Sequence, residues 1–445
     1  MINHILSAID NTLKRKSEFI DSKTAFTRER DWPLDRHVMF QIFREKTTTR
    51  HDINTFYLNG EGKKFKRVTR GNFSRQREYI NPNLFKEINK EFLKQIKYDT
   101  NRSMHETYKG LYLLAVDGLT IAFDNNKELR KEFKVKKKTL KYTQPSEAKF
   151  SGLMDLLNGY MLDGELGHFR QSERDLLKMN ILNAQDIIDF EKVILTLDRG
   201  YVSLEMMAWL KELNIYFVQR LNNSYYKKEV SEIKTCDSPI KLSLKGGRMR
   251  GFKDPEIKEK YRDESYLELR IVTVKLESGK IERLLTNIPP EIMSTDDIYH
   301  IYGERWVIET NYNKLKNRHE IENFTSNKLK NIKQDVYSTL ITYNITMEYN
   351  NICNKILENK MKKQRKNKKV EDKYEYKIDY ANLTRNLNKS LDKMIINPTK
   401  ENINFHTSWL LYESCLEPNK ILKDRRYPRY KRTNGNSYSR SYGEM

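Results

Sequence analysis

Apolar and polar residues follow different patterns in the first hundred residues and in those after them. Residues 1 to about 105 show helical periodicity without a long alternation of apolar and polar positions, and an amphipathic run from Leu84 to Leu93 follows Pro82. From Gly110 the pattern becomes a series of short apolar runs, which are typical of buried strands. The sequence therefore predicts a helical N-terminal region followed by an α/β domain.

Two of the apolar runs lead to an aspartate at or near the end of the predicted strand. The run that starts at Gly110 leads to Asp117, and the run that starts at Val193 leads to Asp198. Side chains at the carboxyl ends of neighbouring parallel strands converge on one edge of a sheet. An aspartate at a strand end is equally often a turn residue or a helix cap, so neither position is diagnostic alone.

The segments around these two strands complete a mixed α/β order. A hairpin is predicted over Leu153 to Leu162, with Asn158 and Gly159 as the two positive-φ residues of a type I′ turn. Ser172 and Asp175 predict the start of a helix that extends through Met179. An amphipathic helix from Leu204 to Leu213 and a strand from Ile215 to Val218 follow.

Residues 222–288 interrupt this order with a different pattern. The strand Lys241 to Leu244 and the hairpin Tyr266 to Ile288 alternate apolar and charged residues, as a one-sided antiparallel sheet does. The glycine-rich basic loop Lys245 to Gly251 could approach a phosphate, although a surface turn is the commoner meaning of such a loop. We interpret the segment as an insertion in the α/β domain.

One helix, predicted from Ile298 to about Asn317 after a capping box of Ser294 and Asp297, carries an unusual set of side chains. At 100° per residue, one phenol, two cations and one carboxylate of this helix share an arc beside the apolar face: Tyr302, Arg305, Lys316 and Glu309. A carboxylate that holds a metal and cations that grip phosphate oxygens would need this arrangement. The alternative is an ordinary helix in which Arg305 and Glu309 pair at i, i+4.

The C-terminal part is predicted to be helical and then basic. A long helix is expected from Asn331 to about Lys360, and another from Tyr380 to Ile396. Between them, Lys360 to Lys369 holds seven basic residues in ten, and such a block is more often a solvated segment than a DNA contact. Basic residues alternate with aromatic ones in Lys63 to Arg77 and in the tail from Lys423, as in segments that bind a phosphate backbone.

Charge and composition narrow the class of partner and the compartment. The net charge of +22 over 445 residues favours a polyanion, and nucleic acid more than an anionic membrane. No apolar run approaches the roughly 18 residues of a membrane span, and residues 1–10 do not form a signal peptide, so we expect a cytoplasmic protein. Cys236, Cys353 and Cys415 lack the spacing of a disulfide framework or a zinc site.

Three acidic residues on predicted core elements suggest metal-dependent phosphoryl transfer. Asp117, Asp198 and Glu309 are far apart in sequence, but each is expected in one α/β core. Two ions about 4 Å apart need such a carboxylate set, and they activate a nucleophile and stabilise the leaving oxygen. The eight histidines are scattered without the spacing of a zinc hydrolase.

The chain resembles the DDE transposases of the insertion sequence four family, over roughly residues 65 to 345. Three blocks carry the resemblance: Val116-Asp117-Gly118, Leu197-Asp198-Arg199-Gly200-Tyr201, and Tyr302-x₂-Arg305-x₃-Glu309-x₆-Lys316. The resemblance implies an α/β fold with a ribonuclease-H-like core interrupted by a β-sheet insertion, and the cutting and joining of transposon ends. It implies that Asp117, Asp198 and Glu309 bind two Mg²⁺ ions, with Mn²⁺ also accepted, and that Tyr302, Arg305 and Lys316 hold DNA phosphates.

The resemblance also implies the organisation and the partners. We expect a helical N-terminal DNA-binding region (1–105), the first part of the catalytic core (106–221), the β-rich insertion (222–288), the second part of the core with C-terminal helices (289–396) and a basic C-terminal tail (397–445). The expected partners are double-stranded DNA, as terminal inverted repeats and target, and a second copy of the chain on that DNA. The expected location is the bacterial cytoplasm, at the nucleoid.

One family feature is missing, and two other functions stay open. Members that form a hairpin at the transposon end are expected to stack a flipped base on an aromatic residue of the insertion, often Trp, but residues 222–288 contain no Trp. That role would pass to Tyr225, Tyr226, Tyr261 or Tyr266, or be absent. The alternatives are a DNA-binding protein that has lost catalysis, which three retained and mutually repelling acids disfavour, and a structure-selective nuclease.

Overall fold

The computed structural model describes most of the chain, and some predicted segments lie outside that part. The described residues are 2–27, 32–59, 67–96, 105–124, 126–133, 146–276, 279–366, 374–396 and 398–422. Lys63 to Lys66, the end of the basic block at 367–369, the hairpin turn residues 277–278 and the tail 423–445 are therefore outside the description.

The helices predicted for the N-terminal region are present. They are α1 (Ile2–Leu13), α2 (Leu34–Phe43), α3 (Thr49–Asn59), α4 (Arg70–Arg77) and α5 (Asn83–Gln95). The apolar face of α5 is fully buried at Leu84, Ile88 and Phe92, and the helix packs against α1. The amphipathic helix predicted from this run is therefore confirmed, and its apolar face is the one that is buried in the core.

The α/β domain is built on one eight-stranded sheet. Its strands are β1 (Tyr112–Phe123), β2 (Ser146–Asp155), β3 (Met161–His168), β4 (Val193–Leu197), β5 (Tyr216–Arg220), β6 (Asp237–Ser243), β7 (Tyr266–Lys275) and β8 (Ile281–Thr286). Their spatial order is β3-β2-β1-β4-β5-β8-β7-β6. Strands β1, β4 and β5 are parallel, and every other neighbouring pair is antiparallel.

The strands of segment 222–288 extend the central sheet. Strand β8 pairs with β5 from Val218↔Thr286 to Arg220↔Leu284, and β7 and β6 continue outwards from β8. The alternating pattern predicted that these strands are antiparallel. It gives no information on which strand of the central sheet they pair with, because pairing between segments that are distant in sequence depends on tertiary packing.

Helices cover both faces of the sheet and complete the chain. They are α6 (Lys127–Phe133), α7 (Glu173–Ala184), α8 (Leu204–Glu212), α9 (Lys227–Ser231), α10 (Gly247–Arg250), α11 (Pro255–Lys260), α12 (Thr295–Glu304), α13 (Trp306–Asn317), α14 (Leu329–Lys366), α15 (Tyr380–Ile396) and α16 (Lys400–Ser414). Strands β9 (Tyr374–Lys377) and β10 (Asn419–Leu422) form a separate two-stranded sheet. Thus the first half of segment 397–445 contains a helix and a strand.

Neighbouring residues of β2 show which helices lie on which face. The hydroxyl of Ser151 donates to Asn180 of α7, whereas a Cβ added to the next residue, Gly152, would point to the hydroxyl of Tyr312 of α13, at 2.9 Å. Because successive residues of a strand point to opposite faces, α7 and α13 lie on opposite faces of the sheet. No helix of the described part is long and apolar enough to cross a membrane.

The hairpin between β2 and β3 does not have the predicted turn. Five residues, 156–160, connect the strands, and only Gly159 has a positive φ, of 76°. The Asp155 carboxylate accepts hydrogen bonds from the backbone N–H groups of Leu157 and Asn158, at 2.9 and 3.0 Å. The type I′ prediction was wrong because the aspartate side chain satisfies the turn, so Asn158 does not need a left-handed conformation.

The N-terminal helices are fixed to the α/β domain by a buried polar network. Arg77, at the end of α4, is 1% exposed and forms an ion pair with Asp335 of α14 at 2.9 Å. Its Nε donates to Gln334 Oε1 at 2.9 Å. A buried charge of this kind persists only when it is paired and hydrogen-bonded, so these contacts determine how α4 docks.

Candidate active site

Asp117 and Asp198 lie at the same level on neighbouring strands. Strands β1 and β4 pair in parallel up to Ala115↔Thr196, and each aspartate is two residues beyond that pair. Asp117 is in the middle of β1, not near its end as predicted, because β1 continues to pair with β2 as far as Phe123. Strand β4 stops at Leu197, so the edge of β1 is open beside Asp117. This opening is the candidate site.

Each aspartate uses one oxygen to hold the backbone that follows it. Asp117 Oδ1 accepts from the N–H of Gly118 at 2.8 Å, and Asp198 Oδ1 accepts from the N–H of Arg199 at 2.7 Å. The second bond caps a short 3₁₀-helix, Arg199–Tyr201. Both carboxylates are therefore held in place locally, as helix- and turn-capping aspartates are.

Arg305 breaks the predicted helix and lies between two acids. The expected helix Ile298–Asn317 is two helices, α12 and α13, with Arg305 at the junction, so the prediction of one continuous helix was wrong. The predicted capping box of Ser294 and Asp297 is present at the start of α12. The Arg305 side chain at this junction is buried, with 6% of its surface exposed.

The guanidinium of Arg305 contacts both candidate carboxylates on its side of the site. Its Nη2 donates to Glu309 Oε1 at 3.0 Å, and its Nη1 is 3.8 Å from Asp117 Oδ2. The predicted alternative, an i, i+4 pair of Arg305 and Glu309, is thus formed, but Arg305 also contacts Asp117. Arg305 neutralises two acids that would otherwise repel each other.

The pKa of Asp117 is shifted by burial and by the charges of Arg305, Glu309 and Asp198. Burial raises the pKa of Asp117 from 3.8 to about 6; the N–H of Gly118 and the Arg305 charge lower it, while Glu309 and Asp198 raise it again. Both other acids therefore act on Asp117 through space, and the cost of charging it is large. A cation bound beside Asp117 would lower that cost.

The three acids do not surround a single point in this conformation. Within the part of the chain that the structure describes, no group of three or more His, Cys, Asp or Glu side chains is close enough to hold a metal ion. The reason is visible in the contacts, since Arg305 occupies the space between Asp117 and Glu309. The donor set itself, three carboxylates without nitrogen or sulfur, is the kind that Mg²⁺ and Mn²⁺ prefer.

Two buried donors beside the acids have no partner among the described residues. They are the hydroxyl of Tyr302, whose side chain is 5% exposed in total, and Nε of Arg305. Burial raises the pKa of Tyr302 to about 12, so the hydroxyl keeps its proton. An unsatisfied buried donor costs about 1–3 kcal/mol, which a bound oxygen ligand would recover. These donors fit phosphate oxygens.

Lys316 is placed further along the same strand edge. Its Nζ donates to the backbone oxygen of Thr120 at 2.9 Å and is 3.3 Å from Glu322 Oε1. Lys316 and Glu309 are both on α13, so Lys316 is on the site's side of the sheet. Its charge is already satisfied within the protein.

Comparison with known families gives an independent view of this region. The family description of the transposase DDE domain matches residues 108–345, just over half of the chain, including all three candidate acids. The chain belongs to the transposase DDE domain family. No curated protein matched it. The DDE domain includes the whole eight-stranded sheet, together with α12 and α13.

The DDE domain contains a site residue that sequence reasoning had counted only as apolar packing. The hydroxyl of Tyr312 donates to the backbone oxygen of Asp117 at 2.5 Å and accepts from the N–H of Gly152 at 3.1 Å. Tyr312 thereby links α13 to the two strands at the Asp117 level. Its position one helical turn from Glu309 was the available signal, but a buried Tyr hydroxyl has no signature in a sequence.

Two further groups at the site were also missed. Glu173, the first residue of α7, has its carboxylate beside Gly118 and Gly200, and the hydroxyl of Tyr201 is buried without a partner among the described residues. The only sequence signals were a helix start after β3, for Glu173, and the block Leu197 to Tyr201, which was noted without a role for its tyrosine.

The four tyrosines considered for base stacking differ in availability. Tyr261 is buried, and its hydroxyl donates to Glu212 at 2.7 Å. Tyr226 is half-buried under the guanidinium of Arg248, which itself pairs with Glu229. Tyr225 and Tyr266 are each 45% exposed, and the ammonium of Lys245 lies over the ring of Tyr266, 5.9 Å from its centroid.

Proposed function

We propose that this DDE-family protein is a DNA transposase of the insertion sequence four type. In this proposal it cleaves and joins the ends of an insertion sequence, by cut-and-paste, through metal-dependent phosphoryl transfer. The observation that carries it is the register of β1 and β4, which brings Asp117 and Asp198 level at an open strand edge where α13 presents Glu309. The strand order β3-β2-β1-β4-β5, with β1, β4 and β5 parallel, supports a ribonuclease-H-like core.

Asp117, Asp198 and Glu309 would hold the divalent ions, two Mg²⁺ or Mn²⁺. When bound, such ions activate the attacking water or 3′-hydroxyl and stabilise the leaving oxygen. The residues of the chain have separate tasks. The two aspartates are oriented by their bonds to Gly118 and Arg199, while Glu309 is positioned by the attachment of α13 to β1 through Tyr312.

Arg305 would exchange partners between the free and the DNA-bound protein. Without DNA, its guanidinium neutralises Asp117 and Glu309. With metal on these acids, the guanidinium would be released to a DNA phosphate, which Tyr302 would also bind through its unpartnered hydroxyl. Lys316 would join them by leaving the backbone oxygen of Thr120.

The DNA partners follow from charge and from the type of reaction. We propose that the terminal inverted repeats and the target duplex bind across the basic surface that the net charge of +22 creates. Joining two ends in one reaction requires two copies of the chain, so a homodimer on DNA belongs to the proposal. It would act on chromosomal DNA in the bacterial cytoplasm.

A second candidate function, DNA binding without cleavage, is favoured by one observation. Arg305 already compensates two of the three acids, and the described acids form no closed metal site. If Arg305 stays in place on DNA, the protein would bind DNA ends but would not cut them.

The deciding experiment is strand cleavage of the inverted repeats that flank the coding region. The purified full-length protein is incubated with these duplexes and with scrambled ones, in Mg²⁺ or Mn²⁺. We expect cleavage at the repeat ends by wild type, and binding without cleavage by Asp117→Asn, Asp198→Asn and Glu309→Gln. Asp296→Asn, an exposed acid of α12, serves as the control. Binding without cutting by wild type would support the second candidate, and equal cutting of scrambled DNA would indicate a nuclease.

A further inference from the structure

Glu173 brings a fourth carboxylate to the candidate site. It is the first residue of α7, on the face of the sheet opposite α13, and its side chain is 37% exposed. A Cβ added to Gly118 would be 3.6 Å from Glu173 Oε1, and a Cβ added to Gly200 would be 3.3 Å from Glu173 Oε2. The two oxygens therefore lie against the backbone that directly follows Asp117 and Asp198.

Of the two glycines, Gly200 is the one that the Glu173 carboxylate approaches closely. Neither Gly118 nor Gly200 has a positive φ, so an L-residue could adopt either conformation. What a side chain at these positions would meet is the Glu173 carboxylate, most closely at Gly200. The absence of a side chain at 200 thus leaves room for the Glu173 carboxylate beside the backbone that follows Asp198.

Tyr201 provides a second and independent observation at the same place. Its side chain is 1% exposed, and its hydroxyl has no hydrogen-bond partner among the described residues. Burial raises the pKa of Tyr201, and the charges of Glu173, Asp117 and Asp198 are among the groups that raise it further. A buried hydroxyl that bonds none of the three acids lacks the partner that most buried polar groups have, and a bound ligand such as water would supply it.

Glu173 has a cation of its own in this conformation. Lys149 Nζ is 3.2 Å from Glu173 Oε1, and it also donates to the backbone oxygen of Gln171 at 3.1 Å. Lys149 on one side and Arg305 on the other thus compensate the negative charges while no metal is bound. Mg²⁺ keeps several of its waters in protein sites, and these waters need acceptors beyond the first ligands.

We propose that Glu173, together with Tyr201, forms the outer side of the candidate metal site and holds the water shell of the divalent cation bound by Asp117 and Asp198. This inference rests on the proposed function, because it assumes the cation. Glu173 is a positioning residue in it, since it touches the hydration of the ion and not the DNA. Lys149 competes with the cation for Glu173.

The test is equilibrium binding of Mn²⁺ alone to the full-length protein without DNA, measured by the electron paramagnetic resonance signal of free Mn²⁺. We expect Glu173→Gln to weaken binding by about tenfold or more, as loss of an outer ligand does, and Tyr201→Phe to weaken it as well. The matched control is Asp175→Asn, an exposed acid in the same first turn of α7. Lys149→Met should strengthen binding, which damage to the fold would not do.

The outcomes separate this inference from the proposed function. If Asp117→Asn weakens Mn²⁺ binding but Glu173→Gln behaves like Asp175→Asn, the inference is wrong and the metal site stands. If Asp117→Asn binds Mn²⁺ as wild type does, the proposed metal site itself is wrong. Thermal unfolding of each variant without Mn²⁺ shows whether a variant binds Mn²⁺ weakly because it does not fold. If Glu173→Gln does not fold, the Lys149→Met variant decides: unchanged or weaker Mn²⁺ binding by Lys149→Met overturns the inference.

Discussion

The hydroxyl of Tyr312 offers the sharpest test of how the site is assembled. It bonds the backbone oxygen of Asp117 and the backbone N–H of Gly152, which are opposite each other in the β1–β2 pair. Tyr312→Phe keeps the ring and removes both bonds. Glu309, three residues earlier on α13, then loses the attachment that sets its distance from Asp117.

The size of the effect can be worked out from these contacts and from a control. Each buried backbone group left without its partner costs about 1–3 kcal/mol, so Tyr312→Phe, which leaves two such groups, should cost roughly 2–6 kcal/mol of unfolding free energy. Tyr343 is also fully buried, and its hydroxyl donates one bond, to the backbone oxygen of Gly159 at 2.7 Å. Tyr343→Phe should therefore cost about half as much. A displacement of Glu309 by about 1 Å would slow cleavage on the order of a hundredfold.

The assay combines urea unfolding with cleavage of terminal-repeat DNA in Mg²⁺ for both variants. We expect both to lose stability, but only Tyr312→Phe to lose cleavage at a temperature where both are folded. Equal cleavage rates in the two variants would refute the idea that Tyr312 positions Glu309, and would reduce it to a packing residue.

Three other perturbations have defined outcomes. Gly152→Ala should slow cleavage as Tyr312→Phe does, because the new Cβ would be 2.9 Å from the Tyr312 hydroxyl and displace it; wild-type cleavage would contradict this. Burial raises the pKa of Asp117 from 3.8 to about 6, so the folded protein loses stability as pH rises through that window. Asp117→Asn should therefore stabilise the metal-free protein by roughly 3 kcal/mol above that window and not below it, as urea unfolding at several pH values would show. Arg77→Met should cost about 3–5 kcal/mol in urea unfolding, since it leaves Asp335 charged and buried; a loss below about 1 kcal/mol would contradict the docking role of this pair.

The sequence predicted the core elements well, for a physical reason. Strand β4 and helices α5 and α8 are each explained by their own apolar pattern, because one face or the whole segment must be buried. The two aspartates could be found in the same way, since each follows a fully buried run. The sequence does not predict that the two aspartates are level with each other on β1 and β4, because the register of the two strands is decided by pairing between distant segments.

The errors concern features that depend on side-chain contacts across the fold. The helical wheel placed Arg305 on a continuous helix, but the helix breaks at this residue, and its buried side chain contacts two acids. The turn at Asn158 follows from the Asp155 carboxylate, which a dipeptide rule does not consider. A motif search does not find Glu173, because its place beside Gly118 and Gly200 depends on how distant segments of the chain pack together.

The central claim is that Asp117, Asp198 and Glu309 jointly bind divalent cations, and a crystal soaked in Mn²⁺ with terminal-repeat DNA tests it most directly. The account predicts anomalous peaks within about 2.2 Å of oxygens from all three carboxylates, with the Arg305 guanidinium moved from Asp117 to a phosphate. Arg305 still between Asp117 and Glu309, with no anomalous peak at the acids, would contradict it.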